Sequence, residues 1–390
     1  MDISEKKSTP QEQEEDDDYI APIVSSYNEK IICTLFNCVD RLPVTQQCIQ
    51  PPAVPTIVLV GDKCSGKSSL VASLIGIKIP CFCTRVPILI KLQNHHSPKL
   101  EFSLEFDGKE RTTSTDYNDV ALEITRATKE IAGTTSGISN KALTLILKKN
   151  GFPDLTIVDL PGIPTALDND EANNKETCEQ IIMKYITPED RIILNVLSGS
   201  SDSLPNKFES MNMCKKVDKK CGRTLVVVTK ADNAPHKFLN ELVLDKVTAM
   251  GFNFVCVRNN IDAESFKESE SAEATLFELV PPTIDKTLFG IRVLARKLML
   301  MQAKITSIDI TRKIKDRLDA NISDLKKLPN QRFSSVAYGL KEFEREILLR
   351  GDQFDEDCST SPRSIVEMLC LPSILLSYIQ RLILKRKKTS

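Results

Sequence analysis

The sequence predicts an α/β fold: a mostly parallel sheet with helices on both faces, plus flanking amphipathic helices that form a partial helical bundle. Three observations predict it. Short, continuous apolar runs alternate with stretches of helical periodicity through the middle of the chain. The first run leads directly into GDKCSGKSS, Gly61 to Ser69, which has the spacing of a loop that wraps phosphate. One long amphipathic pattern precedes this region and another follows it.

Residues 1–22 form a charged, glutamine-containing tail, and its composition predicts disorder. Val24, Tyr27, Ile31, Leu35, Val39 and Leu42 then recur every third or fourth position, which predicts a bundle helix over 23–43 that ends at Pro43. The α/β region covers 50–288. Its expected strands are TIVLV, LTLIL, LTIVDL, RIILNVL, TLVVV and FVCV, runs too continuously apolar to be half exposed. Helices are expected between them at Asp119 to Ala132 and Glu176 to Ile186. KLEFSLEFDGKE reads as an antiparallel insert, with Asp107-Gly108 supplying a tight turn.

A second long helix is expected over 289–328, carrying Ile291, Leu294, Leu298, Met301, Ile305 and further apolar residues to Leu325 on one face until Pro329. The economical arrangement packs the two stripes on each other. Residues 329–390 read as a shortened stalk and a divergent basic tail. The closing LPSILLSYIQRLILKRKKTS fits a helix lying on an acidic membrane, or one packed on the bundle or a sister chain. Apolar residues nearly encircle it, which favours packing.

Composition removes some alternatives. A formal net charge of −1 gives no electrostatic reason to expect a nucleic-acid partner. No apolar leader begins the chain, and no run approaches the roughly 20 apolar residues of a spanning helix. The 12 cysteines are irregularly spaced, which favours reduced cytosolic thiols over disulfides. Cys81 and Cys83 lack a second pair or a histidine at zinc spacing, so no zinc site is expected.

The chemistry concentrates at the strand ends. Gly61, Gly66, Lys67 and Ser68 satisfy G-x-x-x-x-G-K-[ST] between a strand and a helix, the context this motif requires. Within Gly61, Asp62, Lys63, Cys64, Ser65, Gly66, Lys67, Ser68 and Ser69, backbone N–H groups would face phosphate. Lys67 would reach the β- and γ-phosphates, and the Ser68 hydroxyl would bind Mg²⁺. Asp159, Leu160, Pro161 and Gly162 follow at another strand end, with Asp159 placed to hold Mg²⁺ through water and the Gly162 N–H to meet the γ-phosphate. Thr229, Lys230, Ala231 and Asp232 end a third strand. A carboxylate at Asp232 can accept from guanine N1–H and the 2-amino group, neither of which adenine offers. Lys230 would lay its stem along the base, Asn259 would close the base pocket, and Thr84 would add a second hydroxyl to Mg²⁺. Each piece alone has a plain structural reading, as a turn, a helix cap or a stray threonine. Together, in this order, they predict a P-loop GTPase domain that takes GTP and Mg²⁺.

At these residues the chain resembles the large GTPases of the dynamin superfamily, particularly the plant dynamin-related proteins of the Mx-like branch. PTIVLVGDKCSGKSSLVASLIGIKIP, CTRVPILIKLQ, PDLTIVDLPGI, IILNVLSGSSDS, RTLVVVTKADNAP, VCVRNNID and GIRVLARKLMLMQ carry the resemblance, which covers roughly residues 20–328. It implies GTP hydrolysis, a helical bundle beside the GTPase domain, and self-association through that domain. It also implies a force-producing role at microtubules or a membrane surface, in the cytoplasm or on the cytoskeleton.

Three departures bear on catalysis. The family's loop reads G-D-Q-S-S-G-K-S-S, so Lys63 replaces the glutamine that helps orient water, and Cys64 replaces a serine that helps hold a monovalent cation. PCFCTR stands where the family has P-R-G-x-G-I-x-T-R, shorter and without glycine. Hydrolysis is then either weakened while binding survives, or served by the Lys63 ammonium in place of the cation. A lysine is a flexible point charge, poor at fixing geometry, which favours weak hydrolysis. Lys63, Lys67 and Thr84 are the candidate catalytic residues; a non-catalytic GTP-binding scaffold is the alternative. The 61 residues after Pro329 are too few for the family's four-helix stalk.

Overall fold

The structure, a computed structural model, describes residues 19–29, 55–79, 84–133, 137–164, 172–199, 209–233, 247–260, 264–278 and 286–326. The acidic tail before Tyr19, most of the 23–43 helix, Cys81, Cys83 and everything after Lys326 lie outside them. The chain divides into two compact units, Met1–Tyr27 with Val54–Met299, and Asn28–Ala53 with Leu300–Ser390. The expected packing of 23–43 against 289–328 falls largely outside the described residues.

The first unit is built on one sheet. Its strands are β1 (Ile57–Gly61), β2 (Ile88–Asn94), β3 (Glu101–Phe106), β4 (Lys109–Ser114), β5 (Leu143–Lys149), β6 (Leu155–Asp159), β7 (Ile192–Ser198), β8 (Thr224–Thr229) and β9 (Asn253–Cys256). They lie in the order β4-β3-β5-β2-β6-β1-β7-β8-β9 among the described residues. β1 pairs in parallel with β6 and β7, which sets Ile57 opposite both Ile157 and Ile192. β7–β8 and β8–β9 continue the parallel half. Every residue of β1 and β8 is buried, as expected of strands covered on both faces.

Helices supply the cover. In chain order they are α1 (Pro22–Tyr27), α2 (Lys67–Ile75), α3 (Tyr117–Ala132), α4 (Ala172–Ile186), α5 (Glu209–Val217), α6 (Phe266–Glu278) and α7 (Ile291–Lys326). Val58 and Val60 join Ile181 and Ile182 of α4 and Met211 of α5 in one apolar cluster. The alternate residues Ile57 and Leu59 turn to the other face and are fully buried too. α3 starts where the Asp116 carboxylate accepts the Asn118 N–H at 2.7 Å, satisfying an otherwise orphan donor. α2 stops at Gly76, whose φ of 64° is left-handed.

The expected hairpin is present. β3 and β4 pair antiparallel across Asp107 (φ 54°) and Gly108 (φ 73°), the left-handed pair that matches strand twist in a two-residue turn. The strand LTLIL belongs to this reversed wing rather than to the parallel half. β5 pairs antiparallel with β3 and parallel with β2, and β2 itself runs antiparallel to β6. β2, α5 and α6 were not foreseen. α7, expected over 289–328, runs unbroken from Ile291 to Lys326. No helix of the described residues is long and apolar enough to cross a membrane.

Candidate nucleotide-binding site

Four segments that leave the carboxyl ends of β1, β6, β8 and β9 meet at one place, the usual position for a ligand on an open α/β sheet. The loop after β1 is shaped by neighbours. A Cβ on Gly61 would stand 2.2 Å from the Val196 carbonyl oxygen of β7, so no side chain fits there. Gly66, at φ 88°, caps the amino end of α2 without a side-chain hydrogen bond. A helix amino end of this kind, with its partial positive charge, favours an anion. Cys64 takes a left-handed φ of 61° and is exposed.

The loop is stitched to the segment after β6. Lys63 N–H donates to the Ile163 carbonyl at 2.9 Å, and Ile163 N–H donates back to the Gly61 carbonyl at 3.1 Å. Gly162 lies so close that an added Cβ would be 2.6 Å from Lys63 Cα and 2.8 Å from Lys67 Nζ. Leu160 is fully buried, and the Cys178 thiol donates to the Pro161 carbonyl at 3.2 Å. Ser69, half-buried in the first turn of α2, offers its carbonyl to the Ser73 hydroxyl at 3.0 Å.

Two opposite charges sit in the buried centre. Lys67 Nζ donates to the carbonyls of Gly61 (3.2 Å) and Asp62 (2.8 Å). Burial pulls its pKa down, and Asp159 works against that pull. Burial pushes the Asp159 carboxyl up, opposed by Lys67 and by hydrogen bonds from Ser68 and Thr84. Ser68 Oγ donates to Asp159 Oδ2 at 2.5 Å and Thr84 Oγ1 donates to the same oxygen at 3.1 Å. The two hydroxyl oxygens are 3.2 Å apart. Asp159 Oδ1 is buried without a hydrogen-bond partner. Three hard oxygen donors with one unsatisfied carboxylate oxygen fit Mg²⁺. The buried, unpartnered Ser65 hydroxyl and the uncapped α2 terminus likewise fit a phosphate chain.

The segments after β8 and β9 reach back onto the loop after β1 carbonyl by carbonyl. Thr229 Oγ1, fully buried, lies 2.6 Å from the Ser65 carbonyl and 3.2 Å from that of Leu197. Lys230, left-handed at φ 55°, sends its Nζ to the Cys64 carbonyl at 3.1 Å. Asn259 Nδ2 donates to the Gly66 carbonyl at 3.0 Å, while its Oδ1 is buried and unpartnered. Ala231 N–H donates to the Val257 carbonyl at 3.3 Å, and Asp232 is exposed in the short 3-10 turn Ala231–Asn233. Hydrogen bonds and close approaches thus bring together the Gly61–Ser69 loop, Thr84, Asp159 to Gly162, Thr229, Lys230 and Asn259, with Asp232 exposed beside them. Lys63 enters through its backbone contacts with Gly162 and Ile163.

Some residues of the site gave no sequence signal. Ser73 Oγ accepts the Asn260 N–H at 3.0 Å and ties the loop after β9 to α2. Glu273, 5% exposed on α6, accepts from the Arg258 N–H at 2.8 Å and the Ile291 N–H at 2.9 Å. A buried glutamate in a Ser/Glu-rich stretch is indistinguishable from a solvated one until the fold is known.

Comparison with known proteins bears on this geometry. Residues 57–231 match the profile of the Dynamin family. A protein of Arabidopsis thaliana named "Putative dynamin-related protein 4A" is 46% identical over 277 residues, covering 70% of this chain and 90% of the relative. The chain belongs to the dynamin family. A second dynamin-family protein from the same plant, "Dynamin-related protein 4C", is 39% identical over 388 residues, which is 90% of this chain and 57% of that one. The "Interferon-induced GTP-binding protein Mx1" of Canis lupus familiaris is 32% identical over 245 residues, 60% of this chain and 35% of the relative. The chain therefore spans little more than half of one plant relative and about a third of the Mx protein.

Proposed function

We propose that this chain binds GTP with Mg²⁺ and hydrolyses it to GDP and phosphate. The observation that carries the reading is the buried cluster of Lys67, Asp159, Ser68 and Thr84, roofed by Thr229, Lys230 and Asn259 on the carbonyls of Ser65, Cys64 and Gly66. Family membership supports it, as does the word GTP-binding in the name of the canine relative.

In this reading Lys67 exchanges its backbone acceptors for phosphate oxygens, and the α2 terminus with the loop N–H groups cradles the phosphate chain. Ser68, Thr84 and Asp159 hold Mg²⁺, which when bound neutralises developing phosphate charge. Gly162, pressed against Lys63, presents its N–H toward the γ-phosphate side. Water attacks the γ-phosphorus, the bond to the β,γ-bridging oxygen breaks onto GDP, and the water proton leaves with phosphate or solvent. Asp232 and Asn259 select guanine, and Lys230 flanks the base.

Lys63 supplies the altered charge at the loop. A family-like role in force production at microtubules or a membrane surface, with self-association through the GTPase domain in the cytoplasm, is part of the same proposal and rests on the resemblance. The second reading is a GTP-binding scaffold with little turnover, favoured by Cys64 and Lys63 in the loop.

Phosphate release from GTP, with nucleotide binding measured on the same sample and Lys67→Ala as control, tests the proposal. Turnover that the control abolishes supports it; binding without turnover moves the conclusion to the scaffold. No binding at all sinks both. Lys63→Ala with unchanged turnover removes Lys63 from catalysis.

A further inference from the structure

We propose that Glu273 is a positioning residue for the guanine pocket, its carboxylate holding loop 258–260, and with it the Asn259 amide, against the phosphate loop. The inference rests on the reading that the site takes a guanine nucleotide. Its basis is geometric. Glu273 is 5% exposed on α6, and each oxygen accepts one backbone N–H, from Arg258 (2.8 Å) and from Ile291, the first residue of α7 (2.9 Å).

The three residues from Arg258 are each pinned from a different element. Glu273 takes the Arg258 N–H, the Gly66 carbonyl takes the Asn259 side chain at 3.0 Å, and Ser73 Oγ takes the Asn260 N–H at 3.0 Å. Asn259 is placed between two fixed points. Among the described residues no other group takes the Arg258 N–H, and a carboxylate is a stronger acceptor than a carboxylic acid or an amide. Loss of the negative charge therefore loosens the loop on the side facing the base and leaves Lys67 and Asp159 untouched.

The charged surroundings are mixed. On its own helix Glu273 has Glu270 nearby; on the loop side stands Arg258, paired with Glu264 at 2.6 Å. From α7 comes Arg292, which pairs with Glu270 and lies over the Tyr19 ring. Burial is the largest influence, pushing the Glu273 carboxyl up to about 7. The strap thus changes charge in the physiological range.

The test measures affinity for GDP and for ADP, with Mg²⁺, on the full chain at pH 8 and pH 6. The GDP-to-ADP ratio is the readout, because phosphate titration and general damage to the fold affect both nucleotides alike. Glu273→Gln cannot accept both N–H groups. It should lower GDP affinity about tenfold and ADP affinity less than about twofold, while Glu278→Gln, at an exposed position at the end of α6, leaves the ratio unchanged. In the wild type the ratio should fall several-fold from pH 8 to pH 6.

A wild type that prefers GDP, paired with a Glu273→Gln variant of the same preference, overturns the inference and leaves the guanine reading intact. A wild type with no preference for GDP overturns the guanine reading itself, and this inference with it. Should Glu273→Gln fail to fold, the wild-type pH arm decides, and a ratio flat from pH 8 to pH 6 overturns the inference.

Discussion

Gly162→Ala is a sharp test of how the two phosphate-side segments meet. The new methyl would lie 2.6 Å from both Lys63 N and Lys63 Cα, and 2.8 Å from Lys67 Nζ. Ordinary contact needs roughly 3.5 Å, so the segments must separate by close to 1 Å. The obstructing atoms at 2.6 Å are backbone and cannot rotate away. Separation stretches the reciprocal pair from Lys63 N–H to Ile163 O (2.9 Å) and from Ile163 N–H to Gly61 O (3.1 Å). Two backbone hydrogen bonds at about 1 kcal/mol each, or overpacking at about 1–3 kcal/mol, give a loss near 2 kcal/mol. For a domain of this size that lowers Tm by about 4–8 °C. Differential scanning calorimetry without nucleotide reads the fold, and phosphate release from GTP reads the site, where turnover should be lost. A variant that melts within about 1 °C of wild type and turns over normally would refute the reasoning.

Thr229→Val replaces a buried hydroxyl by a methyl of similar size and strands the Ser65 carbonyl now 2.6 Å from it. Stability should fall by about 1–3 kcal/mol, read by urea unfolding, with nucleotide affinity reduced as well. Glu273 has a pKa of about 7 in the fold against an ordinary 4.5. An acid raised in the folded state contributes stability that is present below about 4.5 and lost as pH rises through about 7, at most about 3 kcal/mol. The Tm of wild type relative to Glu273→Gln should therefore be higher at pH 5 than at pH 8; a difference that does not move with pH contradicts this. Lys230→Ala removes an exposed contact to the Cys64 carbonyl, so it should weaken nucleotide binding in a fluorescence titration while leaving the apo melt within about 1 °C.

The sequence made the site legible because its residue types are forced by close approach and by chemistry. Gly61 is dictated by a carbonyl 2.2 Å from its absent Cβ, and Gly66, Lys67 and Ser68 are readable by spacing alone. The buried strands of the parallel half were legible from continuous apolar runs. β2 was not, because ILIKLQN alternates buried and half-buried residues and carries Lys91 and Gln93. α6 hid for another reason: its buried residues are Phe266, Ser269 and Glu273, which leave no apolar stripe to detect. The direction of β5 was equally hidden, since apolarity reports burial and says nothing of which neighbour a strand pairs with.

Three glycines at this site run into obstacles of different kinds, and that decides which losses a second substitution can repair. At Gly61 and Gly162 the nearest atoms are main chain, so no change of neighbouring side chain makes room. At Gly66 the nearest atom is the Asn259 amide, 2.9 Å from the absent Cβ. A smaller side chain at position 259 is thus a suppressor that makes room for Gly66→Ala, although the left-handed φ of 88° would still strain the alanine. Such a suppressor would restore the loop by giving up the side chain that reaches it from the segment after β9. Repair of that loop and the base recognition proposed for Asn259 are in conflict at that one amide.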